Sequence, residues 1–112
     1  MNEITTGSVF YLKDLVNVRA GRITSRNLLL PITPTFAAIG QKWVLYALDQ
    51  QETISSETSP GTKFIHVLEG ELHMMVSQQH CHLTAGASII VPPNTWHDFT
   101  AKDSCKFLQI TE

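Results

Sequence analysis

The sequence has few cysteines and no concentration of charge. Only two cysteines, Cys81 and Cys105, occur among 112 residues, and neither belongs to a Cys-x-x-Cys motif. Two cysteines do not make a disulfide framework, so two free thiols, partly buried in strands, are the expectation. Eight lysines and arginines against ten acidic residues give a formal net charge of −2, without a basic stripe. Nucleic-acid binding is therefore not expected.

Long apolar runs and targeting signals are also missing. The longest apolar segments, such as residues 28–31 and 88–93, fall far short of the roughly 20 residues that cross a bilayer. Residues 1–8 lack the basic and apolar regions of a secretory signal. We therefore expect a cytoplasmic protein without a membrane partner. No internal repeat or sustained helical period is visible either.

What the sequence does contain is a series of short β-prone segments separated by turn signals. Residues 69–71 are predicted to be one of these turns, residues 31–34 a break, and residues 15–18 either a strand or one helical turn. About eight to ten strands at this spacing predict an all-β sandwich or barrel, and the chain length allows one domain. The predicted strands are residues 9–12, 22–29, 43–48, 53–56, 63–68, 72–76, 80–84, 87–91, 96–100 and 105–110.

One predicted hairpin has a register that follows from its loop. If residues 77–78 form a two-residue loop, His73 lies directly opposite His82. The apolar residues of segment 72–76 alternate with His73 and face inwards, so the histidines point outwards. Together with His80 they form either an ordinary solvated face or a cluster able to capture Zn or Ni.

Residues 86–97 combine a strand, a tight turn and the start of a second strand. Gly86 suits a turn position with positive φ, and the prolines at positions 92 and 93 end strand pairing. Asn94 tolerates the left-handed region and can turn the chain. His97 then opens the next strand, where it is well placed to face a cavity. His97 is the first candidate functional residue.

Residues 86–97 and an earlier segment that ends on Gly70 resemble the paired motifs of the cupin superfamily, small β-barrel proteins related to germins and sugar epimerases. In the second motif, G-x5-P-x-G-x2-H-x3-N, the Gly, Pro and His match, and the second Gly and the Asn do not. The corresponding residues are Gly86, Pro92, Asn94, His97 and Ala101. The resemblance spans residues 21–110 and implies a double-stranded β-helix, or jelly-roll, barrel.

The first cupin motif, G-x5-H-x-H-x3-E-x6-G, ends on Gly70 and places its ligand positions at Glu57, Ser59 and Lys63. In metal-binding cupins these positions hold two His and one Glu, which join the His of the second motif around Fe, Mn, Ni or Zn. Here His97 is unchanged and Glu57 remains a competent oxygen ligand.

The other two ligand positions argue against a tight metal site. Ser59 is a poor ligand when neutral, and the Lys63 ammonium would place a positive charge where the metal belongs. His66 faces away from the Lys63 position by strand alternation. An ion pair between Lys63 and Glu57 is the alternative that needs no metal.

The predicted function is binding of a small polar molecule, such as a carboxylate or sugar acid, in the barrel around His97. The predicted ligand-binding residues are His97, Lys63, Glu57, Ser59, Ile65, Val67, Trp96 and Phe99. The alternative is a metal-dependent isomerase or dioxygenase that uses His97, Glu57 and a further donor, with Lys63 as an acid–base partner. A structural or regulatory protein acting through its surface is a third hypothesis.

The resemblance also implies how the chain assembles. Residues 1–20 are expected to form an N-terminal arm, which compact cupins exchange between two subunits, and residues 21–110 the barrel. The apolar stretch from residue 28 to residue 48 is longer than a single small barrel is expected to cover. A homodimer is therefore the expected state.

Overall fold

The computed structural model describes residues 4–30 and 40–112, which form one short 3-10 helix at Leu12–Leu15 and eight strands. The strands, in chain order, are β1 (Ile23–Asn27), β2 (Lys42–Leu48), β3 (Thr53–Glu57), β4 (Lys63–Val76), β5 (Gln79–Thr84), β6 (Ser88–Val91), β7 (His97–Thr100) and β8 (Cys105–Thr111). The all-β prediction is confirmed. The predicted break at residues 31–34 lies outside the described residues. In the described part of the chain, no helix has the length and hydropathy to cross a membrane.

The longest strand, β4, belongs to two antiparallel sheets that curl around a common interior. Its first half lies in a sheet with the order β1-β2-β8-β4-β6. Its second half lies in a sheet with the order β3-β7-β4-β5. Strands β6 and β7 are consecutive in the chain but belong to different sheets, so the turn between them crosses from one sheet to the other. This crossing carries the chain from Val91, opposite Lys63 at the start of β4, to His97, opposite Val76 at the end of β4.

The predicted turn at residues 69–71 is wrong, because the chain continues through it as strand β4. Gly70 has a φ of +77°, and the register against β8 shifts between Val67 and Glu69. Glycine accepts this conformation without a steric penalty, and the bulge bends the strand while pairing continues on both sides. The glycine therefore marks the point where β4 passes from one sheet to the other.

Replacing Gly70 with Ala is expected to destabilise the protein by about 3 kcal/mol. A Cβ at this position would clash with the carbonyl oxygen of Ser104 and lie 3.2 Å from the Cβ of Cys105, in addition to the strain of a positive φ. Gly86→Ala is the matched control, because its φ is +91° but no atom lies within 4 Å of the added Cβ. We expect Gly86→Ala to lower the free energy of unfolding, measured by urea denaturation, by about 1–2 kcal/mol. Equal losses would contradict the close approach at Gly70.

Side chains fill the space between the two sheets. Alternation along β4 sends Ile65 and Val67 inwards, and the rings of Phe99 and Phe107 stack there at a centroid distance of 5.4 Å. The buried members of this inner core are Leu48, Ile65, Val67, Leu72, Met74, Leu83, Val91, Phe99, Ala101, Cys105 and Phe107. Both cysteines are free, and burial raises the pKa of the Cys105 thiol to about 11.

The predicted strand at residues 9–12 is wrong, and the N-terminal segment instead forms the helix Leu12–Leu15. Leu15 joins a second apolar cluster with Leu45 and Leu108 on the outer side of the first sheet. The Lys106 ammonium donates a hydrogen bond of 2.8 Å to the carbonyl oxygen of Lys13. Tertiary contacts thus override the local strand propensity, because the helical turn is the conformation in which Leu15 packs into this apolar cluster.

Candidate functional site

A bulge in strand β3 decides which residue faces His97. Ile54 lies opposite Phe99 and Glu57 lies opposite His97, so three steps along β3 match two steps along β7. Regular alternation from Ile54 would bring residue 56 to this position. The extra residue of the bulge brings Glu57 there instead. The local irregularity therefore places the carboxylate beside the histidine.

Strand β4 begins at the same end of the barrel and contributes Lys63. The alternation that buries Ile65 also turns Lys63 inwards, and its side chain is only 8% exposed. His66 points to the other side of the sheet, as predicted, where its Nδ1 lies 2.7 Å from the hydroxyl oxygen of Ser88.

The loop before β4 is held against the turn that precedes His97. The backbone N–H of Asn94 donates a hydrogen bond of 2.7 Å to the carbonyl oxygen of Ser59. Asn94 has a φ of 56°, the left-handed conformation predicted for it. Gly61, in the same loop, packs so closely against the carbonyl oxygen of Glu112 that a Cβ would clash there. The two motif segments are thus joined directly at the barrel end.

Lys63 lies between the other two charged or titratable side chains of the site. Its Nζ is 2.5 Å from Oε1 of Glu57 and 2.9 Å from Nε2 of His97. The distance between His97 Nε2 and Glu57 Oε1 is 3.6 Å. The His97 side chain is fully buried, whereas that of Glu57 is 42% exposed. The three side chains form a compact group, open to solvent on the Glu57 side.

The hydrogen bonds of His97 define its tautomer. Nδ1 lies 2.8 Å from the carbonyl oxygen of Thr95, which can only accept, so Nδ1 carries the proton. Nε2 then presents its lone pair to the Lys63 ammonium and accepts a hydrogen bond from it. The imidazole and the Phe99 ring form a T-shaped pair with centroids 5.6 Å apart, and Lys63 Nζ lies 5.7 Å from the Phe99 centroid. These contacts fix the orientation of both polar groups.

The donor set does not fit the divalent metal that the cupin motifs imply. Of the four motif positions, only Glu57 and His97 carry good ligands, whereas a protein metal site needs at least three. The Nε2 lone pair of His97 that a metal would use already accepts the Lys63 proton. The ammonium also adds a positive charge at that point.

The other predicted site residues differ in their surroundings. Ile65, Val67 and Phe99 are fully buried in the packed inner core rather than lining an open space. Trp96 adjoins His97 in sequence, but its side chain is 62% exposed. Ser59 is partly exposed, and its carbonyl oxygen, not its hydroxyl, is engaged by Asn94. The structure therefore brings together Glu57, Lys63 and His97.

Two features of the site were not predicted from the sequence. The ring of Tyr46 stacks on Phe107 at 5.1 Å, and burial together with the Glu57 carboxylate raises the pKa of its hydroxyl. Thr95 orients His97 through its backbone carbonyl, a role that any residue type can fill. Alternation along β2 places Tyr46 on the inner face with Leu48, which is the signal that was available in the sequence.

A second polar cluster lies on the outer face of the β4–β5 hairpin. The predicted register, with His73 opposite His82, is confirmed, and the histidines face outwards. His80 and Glu71 lie beside them. Glu71 was not singled out in the sequence, although it precedes His73 by two residues and therefore shares its face of the strand.

Comparison with known proteins agrees with the fold. The family profile of the cupin domain matches residues 44–111, more than half of the chain. A cupin superfamily protein from Desulfitobacterium hafniense superposes with a TM-score of 0.85 at 22% identity, covering 98% of this chain and 94% of that chain. A conserved protein of unknown function from Streptococcus pyogenes gives a TM-score of 0.84 at 21% identity, covering 98% and 90%. No curated protein matches this chain.

The curled antiparallel sheets and the paired turn motifs define a small β-barrel protein of the jelly-roll type. The chain belongs to the cupin domain family. The resemblance read from the sequence motifs is thereby confirmed. Because this fold hosts many unrelated activities, and the solved relatives named above are under 25% identical, they show the fold alone.

Proposed function

We propose that the protein binds a small molecule carrying a carboxylate group at the open end of the barrel, with Lys63 and His97 as its main contacts. The observation that carries this proposal is the buried Lys63 ammonium, which is held against His97 and paired on its solvent side with a half-exposed carboxylate, Glu57. Glu57 is itself a carboxylate at this position, so the site already accommodates the group that the ligand would present.

The Lys63 ammonium still has an N–H group available to donate a hydrogen bond to a ligand. Glu57 and His97 accept from two of its three N–H groups. Within the described part of the chain, no acceptor for the third N–H is found. A ligand carboxylate has two oxygens, so it can accept the third N–H and also replace Glu57, whose side chain can swing into solvent. Tyr46 lies near Glu57 and offers a phenolic donor to the same region.

The packed interior determines where such a ligand would lie. Ile65, Val67 and Phe99 fill the space beneath the ammonium, so we place the ligand at the mouth of the barrel and not deep inside. These apolar side chains exclude water and strengthen the charge–charge attraction at Lys63. The exposed Trp96, next to His97, is our candidate for a side wall of the site.

Isothermal titration calorimetry with a panel of small carboxylates and their neutral amides would test the proposal. We expect at least one carboxylate to bind and its amide not to bind. Lys63→Met removes the charge but keeps an unbranched side chain only one heavy atom shorter, and it is expected to weaken binding at least about tenfold. Glu57→Gln removes the competing internal carboxylate and is expected to tighten binding severalfold. Tyr46→Phe tests the phenolic donor alone.

Lys42→Met is the matched control, because Lys42 is an exposed lysine on strand β2 and should leave affinity unchanged. Circular dichroism of each variant verifies that it is folded. If no carboxylate of the panel binds, or if Lys63→Met binds as tightly as the natural protein, the proposal is wrong. Glu57→Gln provides an independent test should Lys63→Met fail to fold, since weaker binding in that variant would also overturn it.

The metal-dependent isomerase or dioxygenase is the less favoured function, because Lys63 donates a hydrogen bond to the His97 nitrogen that a metal would need.

We also infer from family membership that the protein is a homodimer, and light scattering would test this. A monomer at micromolar concentration would contradict this assembly.

A further inference from the structure

We propose that the outer face of the β4–β5 hairpin binds a divalent transition-metal ion, Zn²⁺ or an ion of similar ligand preference, through Glu71, His73 and His82. Each of these side chains offers one ligand atom, and the three atoms lie within 4.8 Å of one another. The cluster is on the outer face of its sheet, whereas His97 faces the interior. The proposed metal site is therefore separate from the proposed carboxylate site.

The hairpin fixes the backbone positions of the three donors. His73 and His82 are direct partners across the β4–β5 pair, and Glu71 lies two residues before His73 on the same face. The two strands are joined by a tight turn in which Ser77 has a φ of 57°. Folding therefore sets the spacing of the donors, and metal binding has to order only side chains.

One distance between donor atoms already matches that of a tetrahedral metal site. Nε2 of His82 lies 3.2 Å from Oε2 of Glu71. Metal–nitrogen bonds of about 2.0–2.1 Å in a tetrahedron hold neighbouring donors about 3.3 Å apart. The rings of His73 and His82 are parallel, with centroids 4.4 Å apart. Because the side chains of Glu71 and His82 are each about half exposed, small rotations of these side chains are enough to bring the three ligand atoms around one metal ion.

The chemistry of the donors selects the class of ion. Two imidazoles and one carboxylate suit Zn²⁺, Ni²⁺ or Cu²⁺, whereas Mg²⁺ and Ca²⁺ prefer oxygen ligands throughout. An imidazole must be neutral to bind a metal.

His80 supports the site from beside it. Its Nε2 lies 3.3 Å from Nδ1 of His73, so a hydrogen bond between the two rings can hold His73 in place. Such a second partner on a ligating histidine fixes the ring orientation and strengthens metal binding. Three protein donors leave a fourth coordination position that an outside molecule can reach, because the cluster is at the surface.

Calorimetric titration of untagged, chelator-treated protein with zinc sulfate at neutral pH would test this site. We expect one Zn²⁺ per chain in the natural protein. His73→Ala and Glu71→Gln are each expected to weaken binding at least about tenfold, because each removes one of only three ligands. His66→Ala is the matched control, since His66 contacts Ser88 on a different part of the surface and should leave binding unchanged.

Thermal unfolding of each zinc-free variant verifies that it is folded, and anomalous scattering from zinc-soaked crystals locates the ion independently. Absence of binding up to about 1 mM zinc would overturn the proposal. Equal affinities in the natural protein and in His73→Ala would do so as well, because the ion would then be bound elsewhere.

Discussion

The double variant Ser59→His, Lys63→Glu is expected to bind a divalent transition metal in the barrel at least about 100-fold more tightly than the natural sequence at the same site. The two changes restore the cupin motif residues at these positions, and Glu57 and His97 supply two further ligands. Removing the ammonium frees the Nε2 lone pair of His97, which now accepts from Lys63. A four-donor set of two imidazoles and two carboxylates would replace a set of two donors.

This experiment is best performed in a His73→Ala background, so that the outer hairpin cluster does not contribute to the measured zinc. Metal content of untagged protein and calorimetric titration give the stoichiometry and affinity. Without metal the double variant should unfold at a lower temperature, because two carboxylates then face each other, and added metal should reverse this loss. The single variants Lys63→Glu and Ser59→His separate the two contributions. A folded double variant that binds no metal would show that Lys63 is not what excludes the ion.

The fold was largely predictable because its signals are local. Turn residues with special backbone conformations, such as Gly86 and Asn94, adopt the positive φ values expected of them. The His73–His82 register followed from loop length alone. The predictions were wrong where contacts between residues far apart in the sequence determine the backbone conformation. Gly70 reads as a turn but bends a continuous strand, because Cys105 and its neighbours on β8 pair with it from far along the chain.

The candidate site was only partly predictable, for a related reason. Motif spacing brought Glu57, Lys63 and His97 to the same group of positions, and the structure places their side chains in direct contact. Spacing alone does not show the bulge before Glu57, which depends on pairing with β7. Motif spacing also cannot predict that the Thr95 carbonyl orients His97, because every residue type has a backbone carbonyl. The choice between an open and a filled barrel depends on three-dimensional packing of the whole core.

His97→Leu is expected to destabilise the protein by about 2–3 kcal/mol, because it leaves the buried Lys63 ammonium without its inner acceptor. The half-exposed Glu57 offsets only part of this loss, since solvent screens that pair. Adding Lys63→Met to His97→Leu removes the unsatisfied charge and leaves an apolar pair of similar volume. The double variant should therefore be more stable than the sum of the two single changes predicts, by about 1–2 kcal/mol.

Urea denaturation of the four proteins in this cycle measures the coupling, provided that the dependence of unfolding free energy on urea is the same for all. His66→Leu is the control, because its imidazole also has a hydrogen-bond partner but is only partly buried, and that partner is a hydroxyl group rather than an ammonium. Its cost should be below about 1 kcal/mol and independent of Lys63→Met. Additive effects of His97→Leu and Lys63→Met would mean that the contact between Nζ and Nε2 contributes no stability. The ammonium would then be held by Glu57 alone, at the solvent edge of the barrel.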